Sequence, residues 1–238
     1  MQRMRSTTRP SVDIDRELNV EELRGRFLRY SRQAYRLLPP LDQPRILDIG
    51  CGQGQQTIEL ARISSGEVIG IDIDLAALTR LRQRIGQAGL GDRITAVHAS
   101  LFDNGFDDES FDLLWEEGVL HLLDPSKSLP ECRRLLKPDR CLVMLETIEW
   151  FEGVRDRLPQ LGLVLINQYI MPKHCWWTDY GAPLKERILQ LRATYGNAAS
   201  SPKLAQHERD VAAIEKDLDR TDCGIYIVQK REHVEPVS

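Results

Sequence analysis

Asp48-Ile49-Gly50-Cys51-Gly52-Gln53-Gly54 reads as the end of a strand, a glycine turn and the approach to a helix. Glycines at 50, 52 and 54 let the backbone turn sharply and come close to a ligand, since a residue without Cβ enters positive φ freely. Arg45-Ile46-Leu47-Asp48-Ile49 is a short apolar strand, and a helical stretch through Gln56, Ile58 and Leu60 follows the glycines. Such a helix presents unpaired N–H groups and the positive end of its dipole to whatever the turn admits. A nicotinamide-dinucleotide fingerprint, GxGxxG, would put its third glycine at position 55, where this chain has Gln55. The spacing is GxGxG.

Downstream the alternation continues, with strand at 67–71, helix at 75–88, strands at 94–98 and 111–115, helix at 125–136 and strand at 141–146. Strands alternating with helices predict βαβ units and a doubly wound parallel sheet covered on both faces. A short helix is expected at 154–158, a strand at 163–170, helices at 183–195 and 202–218 joined by a plain linker at 197–201, and a last strand at 224–229. A hairpin turn would be enough to join the last two strands, so 171–222 reads as a helical lid insertion and not as a second domain. Upstream, Leu23, Phe27, Tyr30, Ala34 and Leu37 recur at helical spacing from Val20 until Pro39-Pro40. Residues 1–40 therefore read as a loose polar arm, ending about residue 18, and one amphipathic helix. A single domain over 1–238 is the expectation.

Composition narrows the function. The 238 residues are 42% hydrophobic, and 32 Lys and Arg against 36 Asp and Glu leave a net charge of -4. That balance lacks the basic excess of a phosphate-backbone binder, so no DNA partner is expected. The five cysteines, Cys51, Cys132, Cys141, Cys175 and Cys223, are scattered without a CxxC pair, so no metal site is expected and the thiols read as reduced in a cytoplasmic protein. No stretch offers the about 18 apolar residues that span a bilayer, and no membrane partner is expected.

With Asp48 two residues before the first glycine, the turn resembles the first motif of class I S-adenosylmethionine-dependent methyltransferases, D/E-x-G-x-G-x-G. The resemblance implies a Rossmann-like, seven-stranded, mostly parallel sheet whose sixth strand is parallel and seventh antiparallel. It also implies S-adenosyl-L-methionine as cofactor, with Asp48, Gly50, Gly52 and Gly54 around its methionine portion. Val68-Ile69-Gly70-Ile71-Asp72 then places an acid at the end of the second strand, where a carboxylate can accept from both ribose hydroxyls. Helix capping is the competing role for Asp72, and Asp74, directly before Leu75, suits it better. Val97-His98-Ala99-Ser100-Leu101 is similar to the segment that sets a polar side chain and the next N–H beside adenine. Many relatives carry Asp where Ser100 stands, and a water-facing loop serine is the alternative. Trp115-Glu116-Glu117-Gly118 occupies the position that lines the transfer site, with Glu116 on the cofactor side. The Asn/Asp-Pro-Pro-Tyr/Phe stretch of adenine and glutamine methyltransferases is missing there. Cys175-Trp176-Trp177-Thr178-Asp179-Tyr180, Pro183 and Tyr226 resemble a small-molecule-type branch of the family.

In the family's topology the insertion emerges on the carboxyl-end face of the sheet, so it is expected over the active site. Tyr30, Glu117, Glu146, Trp176, Trp177 and Tyr180 are the expected acceptor-binding residues, and Glu117 and His121 the candidate general bases. Trp176 and Trp177 could equally be packing anchors of the inserted helices. The expected function is methyl transfer to a small-molecule acceptor by a monomer or homodimer. An RNA or protein acceptor and a non-catalytic S-adenosylmethionine-binding protein are the alternatives; a nicotinamide oxidoreductase is disfavoured by Gln55.

Overall fold

The computed structural model describes residues 13–196 and 201–231. In chain order the regular elements begin α1 (Ile14–Leu18), α2 (Val20–Gly25), α3 (Leu28–Arg36), β1 (Arg45–Ile49), α4 (Gln55–Ile63), β2 (Glu67–Asp72), α5 (Leu75–Ala88), β3 (Ile94–His98) and β4 (Phe111–Glu117). They continue with α6 (Pro125–Leu135), β5 (Leu136–Thr147), α7 (Ile148–Val154), β6 (Leu163–Ile170), α8 (Ala182–Tyr195), α9 (Pro202–Lys216) and β7 (Cys223–Lys230). The chain divides into two compact units. Of the described residues, the larger takes 28–173 and 222–231; the smaller takes 13–27, 174–196 and 201–221.

Among the described residues, the strands form one seven-stranded sheet in the order β3-β2-β1-β4-β5-β7-β6. β1 runs parallel to β2 and β4, β2 to β3, and β4 to β5. β7 is antiparallel to both β5 and β6, so β6 shares the direction of the parallel strands. Strand order reverses between β1 and β4, the switch point at which open α/β sheets leave a crevice at their carboxyl ends. Both inner strands are enclosed on both faces and accordingly read as mostly apolar runs, interrupted by Asp48 in β1 and by Asp112 and the terminal Glu116 and Glu117 in β4. Leu47, Ile49, Ile71, Leu114, Leu142 and Met144 form the middle of the core, each worth about 1.5–3 kcal/mol on burial. All five cysteines are buried and no disulfide joins them. No described helix is long and apolar enough to cross a membrane.

The expected single N-terminal helix is two. The N–H groups of Arg26 and Phe27 reach back to Leu23 and Arg24, a tight i→i−3 turn that closes α2 just after Gly25, the poorest helix former in the stretch. The expected loose arm also needs correction at its end, where α1 forms with Asp13 Oδ1 accepting the Arg16 N–H at 3.2 Å; residues 1–12 lie outside the described residues, as do 197–200 of the expected linker. The helix expected at 154–158 lies earlier, as α7. Thr147 caps it by accepting the Trp150 N–H at 3.2 Å, and only short 3₁₀ turns follow. β5 begins directly where α6 ends, with a register shift between Phe111 and Leu113 of its partner β4. The stretch read as 1–40 is shared between the two units at Phe27, and the part of the insertion in the smaller unit is 174–221.

Candidate active site

The glycine turn leaves β1 with Gly50, Gly52 and Gly54 all at positive φ. A Cβ on Gly50 would lie 2.5 Å from Val119 Cγ2, so the turn packs directly against the loop that follows β4. At Gly52 the same position is open: apart from its neighbours Cys51 and Gln53, no atom of the described residues comes within 4 Å. Gly54 caps α4. Beneath the turn, Asp48 is buried and its Oδ2 accepts the Thr57 hydroxyl at 2.6 Å. Burial pushes its carboxyl up to about 7; the Thr57 bond pulls it back, and Glu117 and Asp72 push it further. Asp72 closes the ring: its Oδ2 accepts the Gly52 N–H at 2.7 Å and its Oδ1 the Asp74 N–H at 2.8 Å. Each oxygen retains a second lone pair for a hydroxyl. Capping of α5 falls to Asp74, which accepts from Ala76 and Ala77.

At the carboxyl end of β3, the Ser100 hydroxyl accepts the Phe102 and Asp103 N–H groups, both at 3.1 Å, and keeps its own proton to donate. Leu101 is buried. Two apolar side chains that sequence reasoning missed flank this edge: Ile73, 71% exposed after Asp72, and Phe102, 49% exposed after Leu101. His98 Nε2 lies 3.1 Å from the Ile73 carbonyl and ties the two loops together. Ile73 and Phe102 both put apolar surface in water, next in sequence to the polar Asp72 and to Ser100–Leu101. Their positions directly after Asp72 and Leu101 were the signal available in the sequence.

β4 ends in two glutamates that point to opposite sides, as neighbouring strand residues must. Glu117 Oε1 accepts the Ser31 hydroxyl at 2.8 Å and the Trp115 indole N–H at 3.0 Å. Burial raises its pKa, and these two bonds oppose the rise. Glu116 is completely enclosed; its Oε2 accepts the Val119 N–H at 3.1 Å and the Leu120 N–H at 3.3 Å. Glu146, near the end of β5, accepts the His121 N–H at 3.0 Å on Oε1, and its Oε2 lies 2.9 Å from His121 Nδ1. The His121 side chain is 40% exposed, and no described residue bonds its Nε2.

The structure thus brings Asp48, Glu116, Glu117, His121 and Glu146 to the carboxyl edge of β1, β4 and β5, with Asp72, Ser100 and Leu101 along β2 and β3. Tyr30 is buried in the same unit, its ring tilted 6.3 Å from Tyr169 and its hydroxyl 2.7 Å from Arg29 Nη2. Trp176 and Tyr180 pack inside the smaller unit. Trp176 stacks on Phe27 at 4.4 Å and meets Tyr180 edge-on at 5.8 Å, while Lys185 Nζ lies 5.9 Å over the Trp177 ring.

S-adenosylmethionine fits the donor set of the larger unit. The open face at Gly52, the two lone pairs left on Asp72 and the crowd of three carboxylates around the turn suit a ligand with vicinal hydroxyls and positive charge. Comparison with known proteins points the same way. A methyltransferase domain family matches residues 47–144. A dimethylglycine N-methyltransferase of Parasynechococcus marenigrum is 31% identical over 198 residues, covering 79% of this chain and 70% of the relative. A demethylmenaquinone methyltransferase of Lactiplantibacillus plantarum is 32% identical over 169 residues, covering 66% of this chain and 71% of the relative. Among solved structures, the [4+2]-cyclase SpnF superposes with a TM-score of 0.72 at 19% identity, over 85% of this chain and 81% of that one. Glycine turn, strand order and relatives agree: this chain belongs to the class I S-adenosylmethionine-dependent methyltransferases.

Proposed function

We propose that this enzyme methylates a small molecule at an N–H or O–H group and that His121 removes the proton. The observation that carries the reading is the His121–Glu146 pair. A buried carboxylate takes Nδ1, and Nε2 is left as the imidazole's open nitrogen at the half-exposed end of the ring. This is how a protein fixes one tautomer and one orientation of a general base.

S-adenosylmethionine, when bound, supplies a methyl group on a sulfonium centre, which needs an acceptor lone pair in line with it and little covalent help. Asp72, Gly52 and the open face of the turn hold and orient that group. With the cofactor bound, the acceptor atom would bond to the methyl carbon as the S–CH3 bond breaks, its electron pair left on sulfur. His121 Nε2 takes the proton that the acceptor loses and passes it to solvent. Glu117, anchored by Ser31 and Trp115, is suited to hold a polar acceptor group more than to move a proton. The relatives named above carry small-molecule acceptors in their names, dimethylglycine and demethylmenaquinone, which supports an acceptor of that size.

The test is release of S-adenosylhomocysteine over a panel of small amines, phenols and hydroxy acids, followed by His121→Ala with the best acceptor. The expected result is a drop in kcat of about 10²- to 10⁴-fold with unchanged affinity for S-adenosylmethionine. Undiminished kcat in the variant would remove His121 from the chemistry.

A further inference from the structure

Glu116 and Glu146 are two carboxyl groups placed side by side in the protein interior. Glu116 is fully enclosed and Glu146 nearly so. Glu116 Oε2 is occupied by two backbone N–H groups, whereas Oε1 is buried and, among the described residues, meets no N–H or hydroxyl donor. Glu146 stands on the same strand face, two residues beyond Met144, the strand partner of Glu116; it accepts the His121 N–H, next along the chain from the Leu120 N–H that Glu116 accepts, and it holds His121 Nδ1. Neighbouring carboxyl groups can hydrogen-bond to one another only through a retained proton. Two ionised carboxylates so close in a low-dielectric interior would repel by far more than one retained proton costs.

We propose that Glu116 is a positioning residue: it carries the proton shared by the buried pair, donates it to Glu146, and so holds Glu146 as the carboxylate that fixes His121 through Nδ1. The assignment of the proton to Glu116 follows from surroundings. Glu116 has backbone donors for one oxygen only, and the groups around it are acidic or apolar: Glu146 on β5, Glu117 on its own strand and Cys132 on α6. Glu146 has the imidazole and the backbone N–H of His121 to stabilise its charge. Burial and then Glu146 hold Glu116 well above the usual carboxylate range, in agreement with this placement. The arrangement reaches the cofactor side as well. Glu116 Oε2 holds the Val119 N–H, and the Val119 side chain is what packs on Gly50. One residue therefore sets both the loop under the glycine turn and the orientation of the imidazole.

The consequence for turnover rests on the reading of His121 as base, but the proton itself is tested without activity. Glu116→Gln reproduces the neutral group, with a carbonyl for Val119 and Leu120 and an N–H for Glu146. For an acid whose folded pKa is raised, stability falls as pH rises from the ordinary carboxylate range toward the folded value. Relative to wild type, Glu116→Gln should therefore gain melting temperature between pH 5 and pH 8, by at least about 2 °C. A gap that is constant with pH, or that moves in favour of wild type, would overturn the proposal. The second readout is the ¹⁵N spectrum of His121. Wild type and Glu116→Gln should both show the Nδ1–H tautomer, and Glu116→Leu a mixture of tautomers. An unchanged spectrum in Glu116→Leu would equally contradict a positioning role. If Glu116→Leu fails to fold, the pH dependence of Glu116→Gln decides alone. Loss of kcat in His121→Ala is independent of either outcome, so failure of the base and failure of the shared proton are told apart.

Discussion

At the scale of single residues, the glycine turn separates stability from binding. Gly52 stands at φ +53 with open space where a side chain would begin. An alanine there meets no neighbour but must adopt a left-handed conformation, which costs about 1–2 kcal/mol. Its methyl would also occupy the face left for the ligand. Gly52→Ala should fold with a modestly lowered melting temperature and lose at least tenfold, about 1.4 kcal/mol, in affinity for S-adenosylmethionine. Loss of stability with unchanged affinity, measured by calorimetry, would mean that the turn does not face the cofactor. Glu116 and Glu117 teach the complementary lesson. They are adjacent and chemically alike, yet strand alternation sends one to Ser31 and Trp115 and the other to the His121 loop and Glu146.

Elements are positioned by caps at the ends of the strands that frame the crevice. Asp74 starts α5 by accepting two N–H groups, while Asp72, two residues earlier, holds the glycine turn. Asp74→Ala should lower stability by about 1 kcal/mol and leave cofactor affinity within a factor of about two of wild type. A larger loss of affinity than of stability would show that the capping aspartate also serves the ligand. Inner strands were legible in the sequence because burial on both faces produces mostly apolar runs such as Ile46 to Ile49, interrupted only by Asp48, and Phe111 to Trp115, interrupted only by Asp112. Helix breaks were less legible. The apolar period from Leu23 to Leu37 runs straight through Gly25, and only the tight backbone turn at Arg26 and Phe27 shows where α2 ends. The helix expected at 154–158 forms earlier, at Ile148–Val154, where the Thr147 side chain caps it. In the site, the glycine spacing and Asp72 could be read from local order. The Glu146–His121 pair could not, because it depends on the register that sets Glu117 opposite Leu145 and leaves Glu146 beside the loop after β4.

For the whole molecule, the doubly wound sheet gathers Asp48, Asp72 and Glu117 at one edge, in a protein whose overall charge is only -4. Burial and these neighbours leave Asp48 near neutrality in its titration, at about 7. A positively charged ligand lowers that value, so binding releases protons around pH 7 and affinity rises as pH increases through this range. S-adenosylhomocysteine, which lacks the sulfonium charge, should release fewer. The decisive experiment is calorimetric titration of the protein with S-adenosylmethionine, S-adenosylhomocysteine and NAD, repeated with Asp72→Ala. The account predicts saturable binding of the first two, none of NAD, and loss of binding in the variant. Wild-type protein that binds NAD in their place, or a variant that binds S-adenosylmethionine as wild type does, would contradict it.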